Sequence, residues 1–581
     1  MRGSLETSAL ASLLLLLLLQ CVGAAPLASR GGDWATDSYD FIVVGAGPAG
    51  IILADRLSET GSKTLLLERG GPSYGITGGK ERPSWLEGTN MSRVDVPGLY
   101  STIFSGSETL TCEGKVAVYG GCTIGGSTAI NAGLYFQPPA SDWDTFHPDG
   151  WKSPDVAAAT QRLYERQPSV EVTSPSNAGP AYEAARKWLV DGAGYSEVVF
   201  NDVPDQKQAV FGHPSFDYNN GQRGGPATTY LQSALQRPNF LLQTNVTVSR
   251  AVRTGSKATG VAALVNGVET TINLSPTGRV VFSGGAIVSP SLLMHSGIGP
   301  ADVLSTLSQA GALDPALDPS AWLNNSDVGA GLFDNPNTFI PLTGPTVDAY
   351  SYSYDAPIEA DRDMYLDNRT GPYSFAGQTS AFWTYINHTD GTPPTGLQGT
   401  IGAAGFADFT DNKTVTLNVY GTSGLLSTGN VVLNQDPNTG KFIAGGGDGN
   451  FYSDPAGRDA DEIAQFIADL FAALDRSDSG LVPLNIPKTA TKDEIKTYIT
   501  TWSAYARGMV NHWSSSCRIG KCVDAHTRVV GTENMHVVDA SIVAPLTVNP
   551  QFGVMVAAER ASELIKELAG STEVAVRNAV N

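Results

Sequence analysis

Gly45-Ala46-Gly47-Pro48-Ala49-Gly50, with Glu68 at about the 20-residue spacing of the dinucleotide fingerprint, is a set of residues suited to holding a dinucleotide. Gly45 permits the tight turn. Gly47 lets a pyrophosphate approach backbone N–H groups at a helix N-terminus, where the helix dipole favours negative charge. Gly50 lets that helix pack on the strand before it. Glu68 can accept hydrogen bonds from ribose hydroxyls, and its charge disfavours a 2′-phosphate. Seven histidines are the natural candidates for moving a proton near neutral pH. His147, His213, His295, His388, His526 and His536 stand without a supporting constellation. His512 differs, because it sits in Asn511-His512-Trp513 just before the cysteines Cys517 and Cys522. No histidine lies near a cysteine pair at zinc spacing, so no metal site is expected.

The elements around the glycine motif fit it. Phe41-Ile42-Val43-Val44 is a short apolar, β-branched run, as in a buried parallel strand. Pro48 to Ser58 has helical periodicity through Ile51, Ile52, Leu53 and Leu57, and Thr64–Leu67 predicts a second strand. This is a βαβ unit of roughly 30 residues. Farther on, 345–415 predicts strands and long loops suited to a binding face. Helices are predicted over 459–476 and 552–568.

A chain of 581 residues is too long for one simple core and predicts two domains. The net charge of −20 argues against nucleic-acid partners, since nothing would neutralise phosphates. Arg2, the apolar run Leu13–Leu19 and the small residues before Pro26 read as a signal peptide over 1–25, so secretion to the extracellular medium is expected. The run is shorter than the ~20 residues a membrane span needs. No other run reaches that length, so no membrane partner is expected. Cys112, Cys122, Cys517 and Cys522 remain after cleavage and predict two disulfides, for which three pairings are open and the short-range one is simplest. Asn90, Asn245, Asn273, Asn324, Asn368, Asn387 and Asn412 begin glycosylation sequons, some of them expected to be buried.

Several later segments carry a family resemblance. Gly120-Gly121-Cys122-Thr123-Ile124-Gly125-Gly126-Ser127-Thr128-Ala129-Ile130-Asn131 resembles the flavin-contacting segment of the glucose–methanol–choline (GMC) oxidoreductases, and 285–299 resembles their second signature. Asn511-His512-Trp513, Asn549-Pro550-Gln551 and Val538-Asp539-Ala540-Ser541 fall where that family keeps its catalytic pair and its last flavin-binding strand. Within the family, Leu67–Pro72, the paired Cys112 and Cys122, Gly225–Gln232, Arg237–Phe240 and Thr244-Asn245-Val246 resemble the flavodehydrogenase domain of fungal cellobiose dehydrogenase. A flavin fold starting so soon after the expected cleavage site implies a relative without a haem domain.

The resemblance implies an α/β fold, with a Rossmann-like FAD-binding domain interleaved with an α+β substrate-binding domain. Its expected division is an FAD-binding part over 36–330 with a substrate-domain insertion around 150–225, a substrate-binding part over 331–520, and a return to the FAD domain over 521–581. It implies FAD, non-covalent because Thr128-Ala129-Ile130 has no histidine. It makes His512 the general base and Asn549 its partner, which orients the donor hydroxyl or caps the helix that follows. Asn131 is implied near the isoalloxazine, Val246 at the adenine, and Asp539 at the ribityl or pyrophosphate. Asn511 is assigned to a sugar hydroxyl, and Trp513 to the flavin, a sugar ring or plain packing. The expected reaction takes a proton from an alcohol, most simply a sugar at its anomeric carbon, and a hydride to flavin N5. The expected enzyme is a dehydrogenase with a quinone or other diffusible acceptor. The alternatives are an aryl-alcohol or secondary-metabolite alcohol oxidase using O2, and a flavoprotein of this fold without net redox chemistry.

Overall fold

The computed structural model describes residues 33–580 except 105, 108, 113, 173–178, 315–316 and 448, so the expected signal peptide lies outside the described residues. Strand β1 (Ser38–Val44) runs through the glycine turn into helix α1 (Pro48–Ser58), and the chain returns as β2 (Thr64–Leu67). Pro48 opens the helix where its fixed φ and missing N–H cost little. Next come α2 (Ala140–Phe146), α3 (Ser153–Arg166), β3 (Val210–Gly212), β4 (Phe240–Gln243), β5 (Thr247–Thr254), β6 (Lys257–Val265) and β7 (Val268–Phe282). The second half begins with α4 (Gly285–His295), β8 (Pro336–Thr343), β9 (Gln378–Ile386), β10 (Thr395–Gly402) and β11 (Thr414–Gly421). It ends with β12 (Gly429–Gln435), β13 (Phe442–Gly446), α5 (Arg458–Leu474), β14 (Ala506–Met509), β15 (Met535–Val537) and α6 (Gln551–Val580).

Two sheets carry the molecule. In the first, the strand order is β5-β6-β7-β1-β2-β4, with β15 also paired to β7. β4, β2, β1, the end of β7 and β15 are parallel, while β5, β6 and the start of β7 form an antiparallel meander. α1 and α6 pack together on the parallel part. Val43, Leu65, Val281 and Ile52 are fully buried in this core, the burial on both faces that a parallel sheet demands. The second sheet is mostly antiparallel, in the order β8-β11-β10-β9-β3 with short flanking strands. One face buries Ile340, Leu417, Val419 and Ile401 against Ile463, Phe466 and Ile467 of α5. Its other face looks toward the first sheet.

β3 joins the second sheet by pairing with β9, but α3, which lies inside the expected insertion of 150–225, packs on α6 of the nucleotide half. The insertion is therefore shorter than expected, because the apolar stripe of α3 finds its partner in the C-terminal helix. The expected boundary at 520 is also too late. Ser515 and Cys517 already donate backbone hydrogen bonds to Ala540 and Ser541, which ties this loop to the nucleotide half. The disulfides are Cys112–Cys122 and Cys517–Cys522, the short-range pairing. The last helix runs on to Val580, beyond the predicted end at 568. No helix among the described residues is long and apolar enough to cross a membrane.

Candidate active site

β1 and β2 run parallel and in register, with Val44 opposite Leu67, so the glycine turn and Glu68 emerge side by side. Glu68 accepts the N–H of Ala46 at 2.8 Å and of Gly70 at 2.8 Å, which fixes its carboxylate against the turn. Burial pushes its pKa up, and the N–H bonds oppose that shift. A Cβ on Gly50 would stand 1.9 Å from the Gly45 carbonyl oxygen, and one on Gly45 would stand 2.5 Å from that of Ser283. Those two glycines serve packing and the turn. Gly47 is different: a Cβ there would have nothing closer than 4.0 Å. It precedes α1 with no side-chain cap, which leaves the first N–H groups of that helix to an anion. A pyrophosphate fits this cradle.

The cradle opens into a cavity of about 1520 Å³ that reaches the second sheet. A single small ligand needs roughly 300–1,000 Å³, so a dinucleotide and a second molecule both find room. Gly45, Gly47, Glu68, Asn131, Val246, Asp539, His512 and Asn549 all line it, whereas Gly50 lies behind the turn. The side chains of several are already engaged. The Asp539 carboxylate accepts from Gly285 N, Ser289 Oγ, and Ser541 N and Oγ, so it ties α4 to the loop after β15. Asn131 donates to Gln551 and accepts from Gly133 and Arg223. The N–H of Val246 is taken by the Glu68 carbonyl.

His512 sits deep at the other end. Its Nδ1 lies 2.9 Å from Asn335 Oδ1. Asn335 donates its own Nδ2–H to the Gly421 carbonyl at 2.7 Å, so its oxygen must face the imidazole and Nδ1 must carry the proton. Nε2 is then the lone-pair nitrogen, and Asn549 Nδ2 donates to it at 3.2 Å. Asn549 Oδ1 accepts from Gln398 at 2.8 Å. Both ends of the Asn549 amide are thus spent on the site, and the helix after it begins at Gln551. Asp334 accepts the backbone N–H groups of His512 at 2.7 Å and Asn511 at 3.2 Å. Burial raises its pKa to about 7. Burial alone lowers the His512 pKa to about 3, so the imidazole is neutral at ordinary pH. Asn511 Oδ1 and Trp513 Nε1 are buried without a partner. The Trp513 ring packs with Phe451 and the Cys112–Cys122 disulfide.

Family models for the GMC oxidoreductases match residues 39–337 and 426–558. The chain belongs to the GMC oxidoreductase family. It is 26% identical over 553 residues to a GMC-type oxidoreductase of Rhodococcus erythropolis, covering 91% of this chain and 98% of that protein. It is 32% identical to human mitochondrial choline dehydrogenase over 306 residues, half of each chain. Among solved structures, a formate oxidase superposes with a TM-score of 0.72 at 19% identity, covering 92% of this chain and 99% of that one. A fungal aryl-alcohol oxidase gives 0.66 at 18% identity, covering 91% and 99%.

The cofactor of this GMC oxidoreductase is FAD, and its donors are alcohol-type substrates. FAD, when bound, supplies the two-electron acceptor for the hydride. On the chain's side, the α1 cradle fits a pyrophosphate and the His512 imidazole is held in one orientation at the far end of the cavity. The orienting residues Asp334, Asn335 and Gln398 were missed from sequence. Asn335 is 177 residues from His512, and Gln398 is 151 from Asn549, so only closure of the second sheet brings them together. The sole local signal was a polar Asp-Asn pair at the head of a strand.

Proposed function

We propose that this chain is a secreted, glycosylated dehydrogenase that oxidises a sugar-type hydroxyl, at an anomeric carbon, to a lactone. It binds FAD non-covalently and passes electrons to a diffusible acceptor such as a quinone. The observation that carries the reading is the directed chain Gln398 → Asn549 → His512 → Asn335, which leaves Nε2 as a neutral acceptor facing the cavity. The donor's hydroxyl gives its proton to Nε2. The Asn549 N–H that points at Nε2 then donates to the same oxygen as negative charge develops there. A buried imidazolium alone is costly, but low polarity also strengthens its attraction to the alkoxide formed with it.

The segments resembling cellobiose dehydrogenase support an anomeric donor. The aromatic rings of Phe339, Phe406, Tyr350 and Tyr352 in the same cavity favour a second reading, an aryl-alcohol oxidase using O2. Secretion is supported by the sequons: all seven asparagines are exposed, although Asn335, Asn337, Asn450, Asn534 and Asn549 elsewhere in the chain are buried.

Anaerobic addition of sugars, aryl alcohols and polyols to the yellow holoenzyme tests the reading. An aldose should bleach the flavin, and turnover should be faster with a quinone than with O2. Bleaching by aryl alcohols alone would favour the second reading, and no bleaching by any alcohol would end the first. Peptide N-glycosidase should shorten the protein made in a secreting eukaryotic host.

A further inference from the structure

The face of the second sheet turned toward the cavity is built of neutral polar residues. Asn337 of β8 stands opposite Tyr420 of β11, and Gln398 of β10 lies on the other side of Tyr420. Two residues along, Phe339, Asn418 and Thr400 form the next row. Asparagine is disfavoured in strands, and here it occupies a central sheet whose opposite face is solid hydrocarbon. Such residues are retained at a cost unless something uses them.

Their amides hold unpaired atoms. Asn337 Oδ1, Asn418 Oδ1 and Gln378 Oε1 are buried acceptors with no hydrogen-bond partner. Gln378 spends its Nε2–H on Tyr100, which fixes its oxygen as the free end. A hydroxyl, which both donates and accepts, can pair with either end of such an amide. Charge does not compete for the place. Among the described residues lining the cavity, the charged ones, Glu68, Arg69, Lys115, Asp436, Lys441 and Asp539, come from the nucleotide half and the loops that cover it, and none from this sheet. A carboxylate donor would meet no cation. A quaternary ammonium would leave every acceptor unpaired.

We propose that Asn337, Asn418 and Gln378 read the non-reacting hydroxyls of the donor, so the site selects a neutral, polyhydroxylated ring. Rows two residues apart on a strand are separated by ~7 Å, about the span of one six-membered ring with its hydroxyls. The first row adjoins the base, since the Tyr420 and His512 ring centroids are 6.1 Å apart. The Phe339 ring, stacked on Phe406 with centroids 4.2 Å apart, offers an apolar wall to the C–H face of such a ring.

This inference rests on the reading of the cavity as the donor site, and the experiment separates the two. Holoenzyme and the variants Asn337→Leu and Asn418→Leu are reduced anaerobically with glucose, cellobiose, benzyl alcohol and choline. Binding of each compound is also read from the shift of the flavin absorbance. The ratio of kcat/KM for sugar over benzyl alcohol should fall at least tenfold in each variant, mainly through KM, with Asn337→Asp losing less than Asn337→Leu. An unchanged ratio with sugar still oxidised overturns the hydroxyl readers and leaves the proposed reaction intact. Oxidation of benzyl alcohol or choline but not sugar overturns both the readers and the sugar donor. If no alcohol reduces the flavin, the proposed reaction fails. The absorbance titration then decides the readers alone: sugar binding weakened by the leucine variants supports them, and unaltered or absent binding overturns them.

Discussion

A base needs one imidazole nitrogen that carries no proton, and Asn335 decides which nitrogen that is. Its oxygen can only accept, because its amide N–H groups face the Gly421 carbonyl, and this pins the proton on Nδ1 of His512. Removal of the base by His512→Ala should lower kcat by roughly 10²–10⁴-fold, the usual worth of general base catalysis, with the flavin spectrum retained. With His512 as the proposed base, its pKa near 3 should set the acid limb of kcat/KM. Protonation abolishes the base as pH falls through that value, so activity should stay level from neutral pH down to about 4. Asn335→Leu should cut kcat at least tenfold by freeing the tautomer. Asn335→Asp places a carboxylate beside Nδ1, which favours the imidazolium, and should move the acid limb up by about 1–3 pH units. A pH–rate profile of the three proteins checks both. An unmoved limb in Asn335→Asp, with full activity in Asn335→Leu, would remove Asn335 from the mechanism.

The βαβ unit shows how one motif divides its work between structure and ligand. The Cβ of Gly50→Ala would drive into the Gly45 carbonyl, so that variant should lose folded yield whether or not FAD is present. Gly47 has an ordinary φ of −72° and open space around a Cβ. Gly47→Ala should therefore fold with a nearly unchanged apo melting temperature while binding FAD at least tenfold more weakly, because the methyl group occupies the pyrophosphate's approach. Melting curves with and without added FAD separate the two effects. This unit was fully legible, since strand, turn, helix and acidic residue all lie within one short stretch of chain. Other elements were not. The sequence reading predicted no helix at α3, and the apolar side of α3 packs on α6, which lies at the far end of the sequence. Asn131 and Asp539 line the cavity, yet their side chains brace neighbouring loops, a distinction that only the finished packing reveals.

Across the whole molecule, buried titratable groups oppose one another. Burial raises Asp142, Asp217 and Asp334 to about 7, lowers His147 to about 4, and lowers His512 and His536 to about 3. A raised carboxyl keeps its proton in the native state while the unfolded chain ionises, so its stability is full below pH 4 and is lost as pH rises to about 7. A lowered histidine works the other way: the unfolded chain takes the proton below pH 6.5 and the native state refuses it, so stability is lost as pH falls. The two trends oppose each other between pH 4 and 6.5, and above that window only the carboxyl loss remains in force. Asp142 isolates one side of the balance. It is bonded to Thr547 N at 2.7 Å and Thr547 Oγ at 2.6 Å, and Thr547 precedes Asn549 by two residues. An asparagine can accept from the same N–H and donate to the same hydroxyl, which passes its proton on to Ser423 at 2.8 Å. Asp142→Asn should thus melt close to the parent at pH 4.5 and roughly 2–4 °C above it at pH 7.5, since the amide has no proton to lose. Equal offsets at both pH values would mean that Asp142 is already ionised in the folded protein, and the opposing balance would lose one of its carboxyl members.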